Sequence, residues 1–246
     1  MDFPEYVQLG ADDHEVANFC RTCAFANVCR VVGYGNSELS TLHCLVEHVG
    51  PFRAGEFVFR DGHPFRAIFA VRAGTVKTFM VDHDGREHVL GFHLPGEVIG
   101  LNAIYADRFP CNAVALEEAR LCRLSFPAMS ALASQRPAVQ KHLFQMLSKE
   151  IGAVSLLAGD HRSDERVAAF LTDLSERYAA RGRSSQSFHF SMSRTDIANY
   201  LRLASETVSR VLTRFRSAGL IDIDGRELTI LDANRLRGIG QGLLPN

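Results

Sequence analysis

The chain has 246 residues, of which 46% are hydrophobic and 22% are charged, and its formal net charge at pH 7 is -1. This composition is typical of a globular protein with a buried core, and no run approaches the roughly 18 apolar residues that a membrane-crossing helix needs. The acidic first residues, MDFPEYVQLGADDHE, lack the basic and apolar regions of a secretory signal, so we expect a cytoplasmic protein with room for two modest domains.

Residues 1–30 carry three of the six cysteines of the chain. Cys20, Cys23 and Cys29 follow the spacing C-x2-C-x5-C. In a reducing compartment, cysteines at such close spacing are more often metal ligands or redox groups than structural disulfides. This segment is therefore predicted to bind a metal or a cluster.

A site with four thiolates needs one more cysteine, and the remaining ones are Cys44, Cys111 and Cys122. Zinc and iron–sulfur clusters both accept four thiolates, and the spacing alone excludes neither. The residues between the N-terminal cysteines include no His and several small or apolar side chains, which favours an iron–sulfur cluster shielded from water. Zinc, a redox disulfide and unliganded thiols remain the alternatives.

Residues 31–136 are predicted to form an antiparallel β domain. Residues 38–48 have the pattern of a short helix, and the next stretch alternates apolar and polar residues between frequent glycines, which suit tight turns. The predicted strands cover residues 57–59, 68–71, 75–81, 88–92 and 114–124. The economical interpretation is a β-roll or jelly roll.

Residues 137–160 predict one long helix, because apolar residues recur at intervals of three or four. A second apolar set lies off this stripe, so we expect one face to pack on the β domain and the other on a partner. The predicted interface residues are Leu143, Leu147, Ile151 and Val154. The helix therefore indicates a symmetric homodimer, with burial inside one subunit as the alternative.

Residues 161–246 are predicted to form a separate helical domain. Ser163, followed by two acidic residues, is expected to cap a helix that runs to about Ala180. Residues 162–246 hold 13 Arg, no Lys and 10 Asp plus Glu, a net charge of +3; the other 14 basic and 18 acidic residues give residues 1–161 a net charge of -4. A surface that faces phosphates and a solvated surface explain this small excess equally well.

Two short helices joined by a tight turn follow. Ser193 and Asp196 form a capping box at the start of the first helix, and Ser205 is expected to cap the second. One stripe of the second helix is apolar and predicted to be buried. It comprises Val208, Val211, Leu212 and Phe215. This pattern predicts a helix-turn-helix, and the hairpin pattern of residues 220–231 around an Asp-Gly turn adds a wing.

Another face of the second helix carries Glu206, Ser209 and Arg210 in its first two turns, the part of a recognition helix that reaches base edges. Arg210 can donate two hydrogen bonds to guanine, Glu206 can accept one from cytosine, and Ser209 can bond a base or touch a thymine methyl group. The pattern therefore predicts sequence-specific binding of DNA. The alternative is a surface ion pair between Glu206 and Arg210, worth about 0.3 to 0.5 kcal/mol.

The combined motifs resemble the FNR (fumarate and nitrate reduction regulator) branch of the cyclic-AMP receptor protein superfamily over nearly the full length of the chain. The matching motifs are C-x2-C-x5-C, AVRAGTVKTF, GFHLPGEVIG, LCRLSF, DERVAAFLTDLSERYAARG, MSRTDIANYL and ETVSRVLTRF. The resemblance implies an α+β fold with an N-terminal β-roll, a long dimerisation helix and a C-terminal winged helix-turn-helix. The chain is then a transcription activator and not an enzyme.

The resemblance also implies a cofactor and partners. It implies that a 4Fe–4S cluster is held by Cys20, Cys23, Cys29 and Cys122, with the other two cysteines as bystanders. The cluster-bearing homodimer would sense oxygen, bind a palindrome with half-sites like TTGAT and ATCAA, and engage RNA polymerase, for which the loop 82–86 resembles a contact surface in relatives.

Several features depart from the family pattern. Arg202 stands in the helix-turn-helix turn where many relatives have glycine, and a left-handed conformation there costs about 1 to 2 kcal/mol. The region before Ser163 is shorter than in better-known members. Residues 153–155 carry no charge where family members often have a charged residue, which predicts a tighter dimer that is less sensitive to oxygen.

Gly100–Leu101 and Arg108–Cys111 replace the Glu and Arg-Ser pair of a cyclic-nucleotide pocket, so no cyclic nucleotide is expected. A thiol-redox enzyme that uses Cys20 and Cys23 is a further alternative.

Overall fold

The computed structural model describes residues 46–155, 161–241 and 243, with the side chains of 149–155 left out. The chain divides into two compact units, one ending at Ser148 and the other made of Asp82–Val89 and the residues from Lys149 onward. The predictions for Cys20, Cys23, Cys29 and Cys44 lie outside the described residues. None of the helices in the described ranges is long and apolar enough to cross a membrane.

Residues 46–125 form two four-stranded antiparallel sheets with the strand orders β1-β8-β3-β6 and β2-β7-β4-β5, and all of their strands except the start of β5 belong to the first unit. The strands are β1 (Val46–Phe52), β2 (Phe57–Phe59), β3 (Ala67–Ala73), β4 (Val76–Val81), β5 (Glu87–His93), β6 (Val98–Ile99), β7 (Asn112–Ala115) and β8 (Ala119–Ser125). Side chains from both sheets share one apolar core, in which Ile68 and Leu121 are fully buried. The predicted β-roll is therefore confirmed.

Glycine is required at the turn between β3 and β4. Gly74 has a φ of 75°, and a Cβ atom there would collide with the backbone of Glu118. The close approach brings residues 116–118 beside the start of β4, where Thr75 Oγ1 donates to Glu117 Oε1 at 2.7 Å. This turn helps to fix the register of β3 against β8.

Two predictions of secondary structure in this unit are wrong. Residues 46–48 belong to β1 and not to a helix, because they pair with residues 122–124 of β8. The single strand predicted over residues 114–124 is two strands, β7 and β8, which lie in different sheets. The turn at residues 116–118 carries the chain from one sheet to the other. Apolar residues stand on both sides of this turn, so the sequence reads as one continuous strand.

Two helices follow β8, α1 (Phe126–Gln135) and α2 (Pro137–Ser155). Val139 is buried in the core of the β-roll, and Leu143 and Leu147 are partly buried against the same core. Phe144, on another face of α2, is 62% exposed. The long helix is thus confirmed as far as residue 155, with one face packed on its own subunit. The dimer interface stays a prediction, and the side chains of Ile151 and Val154 lie outside the described ones.

The second unit is a set of helices around a small three-stranded sheet of order β10-β11-β9. Its elements are α3 (Ser163–Ala179), β9 (Ser187–His189), α4 (Arg194–Leu201), α5 (Ser205–Ser217), β10 (Ile221–Asp224), β11 (Glu227–Ile230) and α6 (Ala233–Gly240). The order of helix, turn, helix and hairpin is that of a winged helix-turn-helix, as predicted.

Two predicted helix caps are displaced by one residue. The N-cap of α3 is Arg162, not Ser163, and its backbone N–H bonds to the side chain of Glu165 at 3.1 Å. The N-cap of α5 is Ala204, not Ser205. In both places the serine already has helical geometry, so it cannot accept a capping bond as an N-cap residue does.

Candidate functional site

The helix-turn-helix is stabilised by an N-cap at the start of α4 and by apolar packing of α4 and α5. Ser193 Oγ accepts a hydrogen bond from the backbone N–H of Asp196 at 3.0 Å, which confirms the predicted cap of α4. The side chains buried between and beneath the helices are Ile197, Ala198, Leu201, Val208, Val211, Leu212 and Phe215. The predicted stripe of α5 is therefore buried, and the opposite face of the helix points outward.

The three residues predicted to read DNA lie together on this outward face. Glu206, Ser209 and Arg210 are all exposed and occupy the first two turns of α5. Ser209 Oγ donates to Ser205 O at 3.0 Å, and Arg210 Nη2 donates to Thr207 Oγ1 at 3.2 Å. Both bonds are local and solvent-exposed, so a stronger acceptor could replace them at small cost.

The ion pair offered as the alternative use of this face is not formed. Among the described side chains, no carboxylate lies within ion-pairing distance of Arg210, although Glu206 is only one turn away. The next two arginines of α5 each pair with a carboxylate outside the helix. Arg214 pairs with Asp164, and Arg216 Nε pairs with Asp222 Oδ1 at 3.1 Å. Of the three arginines of α5, Arg210 is thus the one without a carboxylate partner among the described residues.

The turn between α4 and α5 has the geometry that favours glycine. Arg202 is the C-cap of α4, with φ 55° and ψ 47°, and its backbone N–H donates to Ala198 O and Asn199 O. A left-handed conformation costs a residue with a Cβ atom about 1 to 2 kcal/mol. Arg202 therefore adopts the left-handed conformation and bears its strain.

A short hairpin forms the predicted wing. Strands β10 and β11 are antiparallel, and their register runs from the pair Ile221 and Ile230 to the pair Asp224 and Glu227. Gly225, in the turn, has a φ of 58°. The two central residues of the turn are therefore Gly225 and Arg226, one position later than the predicted Asp-Gly turn, and glycine at the first central position is typical of a type II′ hairpin. Arg226, the other turn residue, is exposed, so the tip of the wing carries a positive charge.

The loop at residues 82–86 is a tight polar turn. Asp82 Oδ1 accepts from the backbone N–H groups of Asp84 and Arg86, both at 2.9 Å, and its other oxygen bonds to His88 Nε2 at 2.8 Å. The His88 bond is the main reason that the pKa of Asp82 lies below its ordinary value. Within the same unit, Asn199 Nδ2 donates to Glu87 O at 2.6 Å. The turn is thus ordered by its own backbone, with its charged side chains exposed.

Cys122 lies in the middle of β8, between β1 and β3. Its register partners are His48 and Ala70, so these side chains share one face of the sheet. Cys122 is only 6% exposed, and its neighbour Leu121, which points to the other face, is also buried. Because α1 packs against β3 and β8, the strand is covered on both faces. A thiolate at this position would lie in a site shielded from water, next to the small side chain of Ala70.

Cys111 is a buried cysteine with different surroundings. Asn102 Nδ2 donates to Cys111 Sγ at 3.5 Å. Cys111 is 1% exposed, and this burial raises the pKa of its thiol. Within residues 46–155, 161–241 and 243, no group of three or more His, Cys, Asp or Glu is placed to hold a metal ion. A four-thiolate site that includes Cys122 therefore depends on the N-terminal cysteines.

The segment that replaces the nucleotide-binding residues is packed with apolar side chains. Phe109 is 5% exposed, and its ring stacks on Phe59 with centroids 3.9 Å apart and meets Phe65 edge-on. Leu101 is buried as well. Arg108 Nη1 donates to Gly62 O at 2.8 Å and lies on the surface. Leu101 and Phe109, in the two segments predicted to lack the polar residues of a cyclic-nucleotide pocket, are thus part of the apolar core.

Both units of the chain are similar to known proteins. Family models match for a cyclic nucleotide-binding domain at residues 50–136 and for a Crp-like helix-turn-helix domain at residues 165–239. The chain is 41% identical to the transcriptional activator protein anr of Pseudomonas aeruginosa, over 92% of this chain and 93% of that protein. It is 36% identical to the anaerobic regulatory protein of Haemophilus influenzae, over 88% of this chain and 86% of that protein. The structure of FixK2 from Bradyrhizobium japonicum covers 82% of this chain and 97% of its own, with 26% identity and a TM-score of 0.70.

Proposed function

The chain belongs to the FNR branch of the cyclic-AMP receptor protein superfamily, and from this premise we propose that it is a homodimeric transcription regulator that senses oxygen through a 4Fe–4S cluster. The observation that carries the proposal is the exposed face of α5, where an arginine without a carboxylate partner stands beside a serine and a glutamate. Two of the relatives named above are a transcriptional activator and an anaerobic regulatory protein, and we propose a regulatory and not an enzymatic role for this chain.

The recognition helix would read one half-site of a palindrome. Arg210 would exchange its weak bond to Thr207 for two hydrogen bonds to guanine O6 and N7, while Glu206 accepts from a cytosine amino group. Each such contact is worth about 1 to 3 kcal/mol of discrimination between bases. A two-fold dimer places two α5 helices about one DNA turn apart, which suits half-sites like TTGAT and ATCAA. RNA polymerase is the proposed partner for activation.

The residues present fit an iron–sulfur cluster. Cys20, Cys23, Cys29 and Cys122 provide four soft thiolate donors, and Cys122 supplies the one that lies on a rigid, water-shielded strand. When bound, such a cluster provides an oxygen-labile link between these thiolates. Cys111 is not in the proposed ligand set; it lies in the apolar core, where Asn102 Nδ2 donates to its Sγ.

The chain's own residues connect this site to the dimerisation helix. Cys122 precedes the first residue of α1, Phe126, by four positions, and α1 leads directly into α2. Cys122 belongs to the apolar core against which Leu143 and Leu147 of α2 pack. Joining the N-terminal cysteines to β8 would therefore change the packing of that core beneath α2. A ligand set that binds one arrangement of α2 better than another shifts the dimer population by that difference in affinity.

Oxygen-dependent DNA binding tests this proposal. Protein purified without oxygen is expected to bind a TTGAT and ATCAA palindrome at least tenfold more tightly than the same protein after exposure to air. The physical reason is that one protomer reads only half a site, so loss of the dimer removes half of the contacts. Anisotropy titrations of the two samples on a labelled duplex give the ratio. Equal affinities before and after air would contradict oxygen sensing while leaving DNA binding in place.

A cyclic-nucleotide-gated regulator is the second candidate, because a family model for that domain matches residues 50–136. The stacked side chains of Phe109 and Phe59 leave no polar partner for a phosphate at the corresponding position. We therefore expect no heat of binding when micromolar cyclic AMP is titrated into the protein in a calorimeter. Saturable binding at that concentration would favour the second candidate.

A further inference from the structure

Arg202 combines a strained backbone with a side chain that the fold does not use. In the described part of the chain, the non-glycine residues with positive φ are Asp107 and Arg202. Residues held in such sparsely populated conformations cluster at functional sites, where a structure tolerates the strain. Glycine would adopt this conformation without strain, so the backbone alone gives no reason for an arginine here. We therefore ask what the side chain of Arg202 contacts.

The side chain of Arg202 is an uncompensated positive charge. It is exposed and, among the residues that the structure describes, it makes no hydrogen bond or ion pair. The two arginines near the end of α5 differ from it, because Arg214 and Arg216 are paired with Asp164 and Asp222. Of these arginines and Arg210, the two without a carboxylate partner among the described residues are therefore Arg202 and Arg210.

The position of Arg202 brings this charge beside the recognition helix. Only Leu203 and Ala204 separate it from Ser205, the first residue of α5, and three residue steps span at most about 11 Å. An element that enters the major groove passes between two phosphate backbones, so a guanidinium at its flank meets phosphate oxygens and not base edges. Guanidinium groups bind such oxygens through two parallel hydrogen bonds.

We propose that Arg202 binds a DNA phosphate at the flank of each half-site and adds one contact per protomer that is independent of sequence. This inference rests on the proposed function, because it requires the outward face of α5 to lie in the groove. It gives Arg202 a different task from Arg210, which reads a base. Arg202 sets the affinity for all DNA, and Arg210 sets the preference for the palindrome.

The test is the salt dependence of binding by the full-length protein, purified without oxygen. Arg202→Gly removes the charge and relieves the strain, so a loss of binding cannot be ascribed to a damaged turn if the Tm is unchanged or raised. Arg202→Lys keeps the charge. Arg183→Ala is the matched control, since Arg183 is an exposed arginine in the turn after α3. Each protein is titrated with the palindrome and with a scrambled duplex between 50 and 200 mM salt.

Arg202→Gly is expected to reduce the slope of log K against log salt by about 0.9 per protomer, or roughly 1.8 for a dimer. Over this fourfold range of salt, the affinity of the variant therefore falls roughly tenfold less than that of the unaltered protein. Both duplexes should weaken by the same factor, and Arg202→Lys and Arg183→Ala should keep the original slope.

Two results would overturn the inference. An unchanged slope for Arg202→Gly means that Arg202 contacts no phosphate, and an equal reduction by Arg183→Ala means that the effect is a general loss of charge. Failure of the proposed function looks different, because the unaltered protein would then bind the palindrome no better than the scrambled duplex.

Discussion

Cys122→Ala is expected to abolish the cluster and to weaken anaerobic binding of the palindrome at least tenfold, about 1.4 kcal/mol or more. The reason is that Cys122 is the one proposed ligand on the β-roll, where it lies buried in β8 between His48 and Ala70. Without it, the three N-terminal cysteines can no longer be joined to the strand that leads into α1 and α2. Iron content and DNA affinity of the anaerobic variant are the measurements.

Cys111→Ala is the matched control for this variant. Cys111 is also buried, so both substitutions remove a thiol from the same apolar core and have similar effects on packing. It is not one of the four proposed ligands, so its loss should leave both the iron content and the oxygen response unchanged. If Cys122→Ala keeps its iron and its oxygen response, the coupling proposed through β8 is wrong.

Arg210→Ala is expected to weaken binding to the palindrome at least tenfold while leaving the affinity for scrambled DNA nearly unchanged. The side chain makes one weak bond, to Thr207, and is free of carboxylates among the described residues, so its truncation costs the fold little. Its pair of hydrogen bonds to guanine would be lost in each half-site, and one such pair is worth about 1 to 3 kcal/mol. Anisotropy titrations on both duplexes give the two affinities.

Arg214→Ala, one turn further along α5, is the control for this experiment. Arg214 is exposed but paired with Asp164, so its loss should reduce specific binding much less than the loss of Arg210. Equal losses of Arg210→Ala on the palindrome and on scrambled DNA would show that Arg210 contacts phosphate and reads no base.

The features set by local sequence patterns were the ones that could be predicted. The apolar stripe of α5, the cap at Ser193 and the hairpin of the wing each depend on residues a few positions apart, and the structure confirms all three. The outward face with Glu206 and Arg210 follows from the same periodicity. Helix geometry alone fixes which side chains share a face.

Features set by distant parts of the chain could not be predicted. Val46–Phe52 is a strand because β8 lies beside it, and nothing within the segment itself shows that pairing. The neutralisation of Arg214 by Asp164 joins residues 50 positions apart, and it is this pairing that singles out Arg210 and Arg202. The packing of Leu143 and Leu147 against their own β-roll likewise depends on the tertiary fold, since the helical stripe alone fits either a partner or the same subunit.

The account depends most on the claim that four cysteines hold an iron–sulfur cluster, and metal and sulfide analysis of anaerobically purified protein tests it most directly. The account predicts about four iron and about four acid-labile sulfide per chain, lost together on exposure to air. A colourless protein with about one zinc per chain and no sulfide would contradict it.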